Sequence, residues 1–129
     1  MPVTVEVSGS VESRPATGTT TFPTETRTVS LASRRTYTRP FGGIMAVPGT
    51  DAAPPAMPIG GLAAVRFLYV RATGGEVRLR VTTPDGATQI IPVAGQFVLD
   101  NPAAGSEITA VTLAATGTGV EVEYLAAGD

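Results

Sequence analysis

The amino-acid sequence predicts an all-β protein, an antiparallel β-sandwich or jelly-roll with extended irregular arms. Hydrophobic residues make up 43% of its 129 residues, but most of them are Ala and Val, and only 5% of the chain is aromatic. Small and β-branched side chains of this kind favour pleated sheet over helix. From residue 64 onward, short apolar runs alternate with turn residues at the spacing of a sandwich or barrel. A chain of this length fits one domain, residues 1–129, with a modest core.

The first half of the chain contains two strand-like runs and two irregular segments. Residues 2–8 alternate Val with polar residues, which predicts a strand. Residues 8–25 are rich in Thr, Ser, Gly and Pro, which is typical of an arm or linker. Residues 28–37 resume a β-type pattern. Residues 40–61 contain many Pro and Gly, and we expect a connection longer than a compact domain usually has.

The second half has the more regular pattern. Residues 65–71 are apolar on both faces, which predicts a central strand or one covered by a partner. Residues 76–93 predict a β-hairpin, because Pro84 presets φ at the first central position of a turn and Gly86 accepts the positive φ that leads back into a strand. Three further β-type runs follow, at residues 96–99, 108–113 and 120–125.

Two pairs of charged residues suggest a strand register. Arg78 and Arg80 alternate with apolar residues on one predicted strand, and Glu121 and Glu123 do so on the last one. If these strands are antiparallel neighbours, Arg78 faces Glu123 and Arg80 faces Glu121. Each such cross-strand pair contributes about 0.2–1 kcal/mol.

The composition excludes much of enzyme chemistry. Cys and His are both absent, so the chain has no thiol nucleophile, no disulfide, none of the usual zinc ligands and no imidazole base. Its Gly pairs are not followed by Lys and Ser or Thr, as a phosphate-binding loop requires, and no acidic residues repeat as in a calcium loop. We therefore predict a non-enzymatic protein with no cofactor and no metal. A pocket holding two or more carboxylates would favour an enzyme instead.

Charge and hydropathy restrict the partners. The net charge is −2, and all nine basic residues are Arg, so the basic excess that drives nucleic-acid binding is missing. The N-terminal residues do not form a basic segment followed by an apolar one, and no run of 18 apolar residues occurs. We expect a protein that neither spans a membrane nor is exported by a signal peptide, and that leaves the cytoplasm only inside a larger assembly.

Arginine and aromatic residues concentrate near the middle of the chain. Arg34, Arg35 and Arg39 surround Tyr37 and precede Phe41, a composition typical of protein contacts. The same pattern also fits a solvated strand whose Arg stems cover Tyr37, or a stacking platform for single-stranded nucleic acid. The 40–61 segment adds large apolar side chains that need a surface, either the chain's own sandwich or a neighbouring subunit. The predicted protein interface is Arg34, Arg35, Tyr37, Arg39, Phe41, Ile44, Met45, Met57 and Ile59.

The C-terminal half resembles a known class of proteins. The stretch TTPDGATQIIPVAGQFVLDNPAAGSEITAVTLAATGTGVEVEYLAAGD, residues 82–129, looks like the small β-sandwich proteins encoded among the virion genes of tailed bacteriophages. Those chains share a hairpin, a buried apolar strand and a final strand punctuated by Thr and Gly. The resemblance covers about half of the chain and includes no diagnostic motif.

The resemblance implies a structural role in a phage particle. It implies a capsid decoration or vertex protein or, alternatively, a tail, baseplate or fibre-base component. It also implies a homo-oligomer whose arms lie on neighbouring virion proteins and whose location is the virion. A carbohydrate-binding surface module is the other alternative, but it predicts exposed aromatic platforms, and the chain has no Trp and three Tyr.

Overall fold

The computed structural model is all-β, as the sequence predicts. It describes residues 2–13, 27–37, 39–47, 62–100, 102–115, 117 and 119–129, and within these ranges it contains strands and no helix. The strands are β1 (Val3–Ser13), β2 (Arg27–Tyr37), β3 (Arg39–Val47), β4 (Val65–Thr73), β5 (Val77–Thr82), β6 (Thr88–Val93), β7 (Gln96–Asp100), β8 (Ala110–Ala115) and β9 (Val120–Gly128).

Two compact units make up the chain. One is Thr4–Thr36, and the other comprises Met1–Val3 and Tyr37–Asp129. In the first unit β1 and β2 pair as a two-stranded sheet, and Thr4 Oγ1 lies 3.3 Å from Thr36 Oγ1. The start of β1 therefore lies beside the end of β2. That residues 1–129 form a single domain stays a prediction.

The larger unit is a β-sandwich of two antiparallel sheets. One sheet has the strand order β3-β9-β4-β7 and the other β6-β5-β8. Alternate residues of each strand face the other sheet, as the pattern of β5 shows, because Val77, Leu79 and Val81 are buried. The largest fully buried side chains, which come from both sheets, are Leu68, Leu79, Leu113, Val65, Val70, Val77, Val120 and Val122.

Strand β4 is central, as predicted. It lies between β9 and β7 in the four-stranded sheet. Leu68 and Val70 face the sandwich core and are fully buried. On the opposite face, Phe67 is buried and Tyr69 is half-buried.

The predicted hairpin is also confirmed. β5 and β6 pair antiparallel, with Val77 opposite Val93 and Thr82 opposite Thr88. The turn is closed by the backbone N–H of Gly86, which donates to the carbonyl of Thr83 at 2.9 Å. Gly86 has φ +84°, the left-handed conformation that glycine adopts without strain.

The predicted pairing of Arg78 with Glu123 and of Arg80 with Glu121 is wrong. β5 lies in the three-stranded sheet and β9 in the four-stranded sheet. Both strands present their apolar residues to the shared core, so their charged residues lie on opposite outer surfaces of the sandwich. In place of Arg78, Arg71 on β4 lies opposite Glu123.

Two segments predicted to be irregular contain strands. β1 extends to Ser13, so residues 8–13 are strand and not part of an arm, while residues 14–26 lie outside the described residues. Residues 40–47 belong to β3, which pairs with β9, and were wrongly predicted to be a connection. The rest of that predicted connection, residues 48–61, also lies outside the described part of the chain.

The Pro and Gly residues of β3, which are typical of loops, are compatible with an edge strand. Pro40 is tolerated because one side of an edge strand has no ladder partner. Gly43 faces the core, where a Cβ atom would lie 3.5 Å from the hydroxyl oxygen of Tyr124. The Tyr124 ring is buried, and desolvation raises the pKa of Tyr124 above its usual value.

Candidate protein-binding surface

The outer face of the four-stranded sheet, which points away from the core, carries a row of apolar residues. Residues directly opposite each other on paired strands point to the same face. Gly42 on β3 is opposite Leu125 on β9, which is opposite Tyr69 on β4, and Tyr69 is opposite Val98 on β7. These four residues, here called the apolar row, therefore cross the whole sheet.

The apolar row is accessible from solvent. Leu125 is 37% exposed, Val98 is 48% exposed, and Tyr69 is half-buried. A Cβ atom at Gly42 would lie 3.2 Å from Leu125 Cδ1, so the leucine side chain spreads over the bare backbone of β3. Ile44, two residues further along β3 on the same face, is 63% exposed and extends the apolar surface.

A charged row lies beside the apolar row. Glu123 on β9 is opposite Ile44 on one side and Arg71 on the other, and Arg71 is opposite Gln96. Arg71 Nη2 is 3.9 Å from Glu123 Oε2, and both side chains are about half-exposed. An exposed pair of this length contributes about 0–1 kcal/mol. The pair therefore forms a polar border to the apolar row and adds little to stability.

On the other side of the apolar row the surface is covered. Phe67 and Ala127 are opposite each other on this same face, and both are buried. The exposed apolar area therefore begins at Leu125 and Tyr69 and extends to Ile44 and Val98. An apolar centre with charged neighbours is the usual composition of a protein interface.

The described residues of the predicted interface belong to two strands, β2 and β3. Ile44 lies on the outer face, next to the apolar row, whereas Met45 faces the core and is partly buried against it. Arg34 and Arg35 are exposed on β2, in the two-stranded unit, and Tyr37 is buried at the end of that strand. Arg39 and Phe41 lie on β3, but their side chains are outside the described part, as are Met57 and Ile59 altogether. Their role in binding stays a prediction.

Sequence reasoning missed three of the residues on this surface. Tyr69, Val98 and Leu125 were assigned to strands, but nothing local shows that they lie side by side. Val98 and Leu125 are more than 25 residues apart in the sequence, and strand order alone brings them together. The one local signal was Ile44, which stood out as a large apolar residue in a segment rich in Gly.

In the described part of the chain, no three Asp or Glu side chains lie close enough to hold a metal ion. No helix in the described ranges could cross a membrane. No family model, curated protein or solved structure matches this chain.

Proposed function

We propose that this chain is a non-enzymatic structural component of a tailed-phage particle that works by binding neighbouring virion proteins. A capsid decoration or vertex position is favoured, with a tail, baseplate or fibre-base position as the alternative. The sandwich serves as a rigid body, and the outer face of its four-stranded sheet supplies the contact surface.

The observation that carries the proposal is the apolar row together with Ile44. Single exposed apolar side chains are ordinary on protein surfaces, but a contiguous group of them bordered by charges marks an interaction site. Ile44, Leu125 and Val98 are each more than a third exposed and occupy one sheet face. Burying such a face against a partner removes apolar area from water, which stabilises the complex by about 25 cal/mol per Å² before the costs of association.

The assignment to a phage particle does not rest on this surface. It rests on the resemblance of residues 82–129 to small virion proteins, and the sandwich body is compatible with it. Repetition of one copy around a symmetric particle multiplies weak contacts, so even a modest surface on each subunit would suffice.

The test uses particles of the phage whose genome encodes this chain. Purified particles would be analysed by quantitative mass spectrometry for the chain and its copy number. In phage carrying the double change Ile44→Asp and Val98→Asp, we expect at least about tenfold fewer copies per particle, since charged groups then have to be desolvated at the contact. The purified variant should keep the circular dichroism spectrum of the unchanged protein, because both side chains are exposed.

The matched control is Ile90→Asp. Ile90 is 56% exposed on β6, in the other sheet, and its side chain points away from the apolar row. We expect normal incorporation of this variant. Absence of the chain from purified particles would refute the phage assignment, and unchanged incorporation of the double variant would refute the role of the outer face. Electron cryomicroscopy of the particles separates the capsid from the tail position.

A further inference from the structure

The two sides of the sandwich differ. One sheet has four strands and the other three. On one side the edge strands β3 and β8 contact each other and close the sandwich. On the other side β7 extends past β6, and a cleft of about 400 Å³ opens between these two edge strands.

The cleft has an apolar floor. Ile91 on β6 and Phe97 and Leu99 on β7 point into it and are only partly buried against the core. Val81 and Ile108 complete the floor from the side of the core. These inward-facing side chains are the ones that a fourth strand, added beside β6, would cover.

One end of the cleft is polar and negatively charged. Asp85 is the only charged side chain among the described residues that line it. Its Oδ1 accepts hydrogen bonds from the Thr83 hydroxyl and from the Ala87 N–H, the latter at 3.0 Å. These bonds lower the pKa of Asp85, so it is ionised at neutral pH. Asp85 Oδ2 has no partner within the described part and remains available to a cation.

The open edge of β6 presents backbone groups in a defined register. The N–H of Thr83 donates to the carbonyl of Ala87 at 3.0 Å, so this pair belongs to the β5–β6 ladder. Because ladder bonds alternate along an antiparallel pair, the backbone groups of Thr88, Ile90 and Pro92 point away from β5 towards the open edge. The nitrogen of Pro92 also points to the open edge, where the ladder with β5 needs no N–H donor, so a proline is tolerated at this position. Within the described residues, the donors that point to this edge without a ladder partner are therefore the N–H groups of Thr88 and Ile90.

We infer that this cleft binds an extended segment of a partner protein, added as a strand along β6, with apolar side chains at alternate positions and a basic residue near Asp85. Backbone hydrogen bonds to Thr88 and Ile90 hold the partner segment in place, and the apolar floor of the cleft accepts its apolar side chains. The Asp85 carboxylate favours a basic residue in the partner. This site lies apart from the outer face of the four-stranded sheet and goes beyond the proposed function. The failure of either proposal leaves the other standing.

The experiment titrates the full-length, ¹⁵N-labelled chain with synthetic peptides and follows the backbone amides by NMR. The probes are acetyl-VTVTVK-amide and acetyl-KVTVTV-amide, which place the Lys at either end, and the same two peptides with Glu in place of Lys. We expect shifts confined to β6, β7 and the turn at Thr83–Ala87. At least one Lys peptide should bind about fivefold more tightly than its Glu counterpart at low salt.

Two pairs of variants test the two parts of the inference. Ile90→Pro removes a donor that faces the open edge and leaves the ladder with β5 intact, so it should weaken binding by at least about tenfold. Ile90→Ala also loses the isoleucine side chain but keeps the donor, so it should bind at least about tenfold more tightly than Ile90→Pro. Asp85→Asn keeps an acceptor for Thr83 and Ala87 but removes the charge, and should abolish the preference for Lys. Asp100→Asn, a carboxylate on β7 that does not line the cleft, should keep that preference.

Several results would overturn the inference. They are the absence of shifts up to the solubility limit of the peptides, shifts at β3 or β8 instead, and equal binding by the Ile90→Pro and Ile90→Ala proteins. Concentration-dependent broadening of the Thr88 and Ile90 amides without peptide would also overturn it, because a second copy would then occupy this edge.

Discussion

Replacement of Leu79 by Ala tests whether the two sheets enclose one closed core. Leu79 is fully buried on β5, the middle strand of its sheet, and is paired with Ile91 and Leu113. The change removes three carbon atoms, which at about 0.8 kcal/mol each costs about 2.5 kcal/mol in transfer free energy. The cavity left behind adds to this, since buried Leu→Ala changes cost about 2–5 kcal/mol in total. We therefore expect the free energy of unfolding to fall by about 3–4 kcal/mol.

Urea unfolding followed by far-ultraviolet circular dichroism measures this loss, because the chain has no Trp to serve as a fluorescent reporter. The matched control is Ile90→Ala, at a position that is 56% exposed, where we expect a change within about 0.5 kcal/mol. The slope of the free energy against urea should be the same for both variants. If Leu79→Ala costs less than about 1 kcal/mol, the space between the sheets is not closely packed, and the sandwich described above is wrong.

Two further predictions concern the turns. Gly74→Ala should lower the melting temperature, because Gly74 has φ +86° and a Cβ atom there would lie 2.6 Å from the carbonyl oxygen of Gly119. Gly95→Ala is the control and should leave the melting temperature nearly unchanged, because a Cβ atom at Gly95 would have nothing within 4 Å. Equal effects of the two changes would contradict this reasoning. Asp85→Ala should destabilise the protein at pH 7 and progressively less as the pH is lowered. The lowered folded-state pKa of Asp85 stabilises the protein fully above the ordinary value of 3.8, and this contribution is lost as the pH falls through the lowered pKa. A difference between urea midpoints that does not shrink in acid would refute the hydrogen-bonding role of Asp85.

Local signals in the sequence predicted the parts of the fold that depend on local physics. The β5–β6 hairpin followed from alternation with a period of two and from a turn in which Pro84 and Gly86 have the required backbone angles. The apolar character of both faces of β4 predicted a central strand or one covered by a partner, and β4 is central. In each case a few neighbouring residues carry the whole constraint, so no knowledge of the rest of the chain is needed.

Strand order depends on distant residues and was not predictable in the same way. β3 looked like a loop because Gly42 and Gly43 are turn residues in most settings. At Gly42 a Cβ atom would lie 2.9 Å from the carbonyl oxygen of Tyr124 and 3.2 Å from Leu125 Cδ1, so the reason for this glycine lies in another strand, about 80 residues later in the sequence. The proposed pairing of Arg78 with Glu123 failed for the same cause, because charge alternation shows which face is exposed but not which sheet a strand joins.

The candidate surface was predictable only in part. Ile44 was selected as an interface residue, and the structure places it beside the apolar row, where it is 63% exposed. Leu125 and Val98 could not be selected, because each looks like one more alternating strand residue until the sheet is assembled. The Arg residues at 34 and 35 are exposed on β2, and their part in binding is still a prediction.

The position of β9 bears on how the protein is made. This strand is the last to be synthesised of those described, yet it lies between β3 and β4 and bonds to both. On the ribosome, the edges of β3 and β4 that pair with β9 therefore lack this partner until the segment around Tyr124 emerges, and the pairing of β3 then spans about 80 residues. Long-range pairing of this kind slows folding. A cell that makes many copies at once would contain many nascent chains with unpaired strand edges, so the yield of folded protein should depend on temperature and on the supply of chaperones.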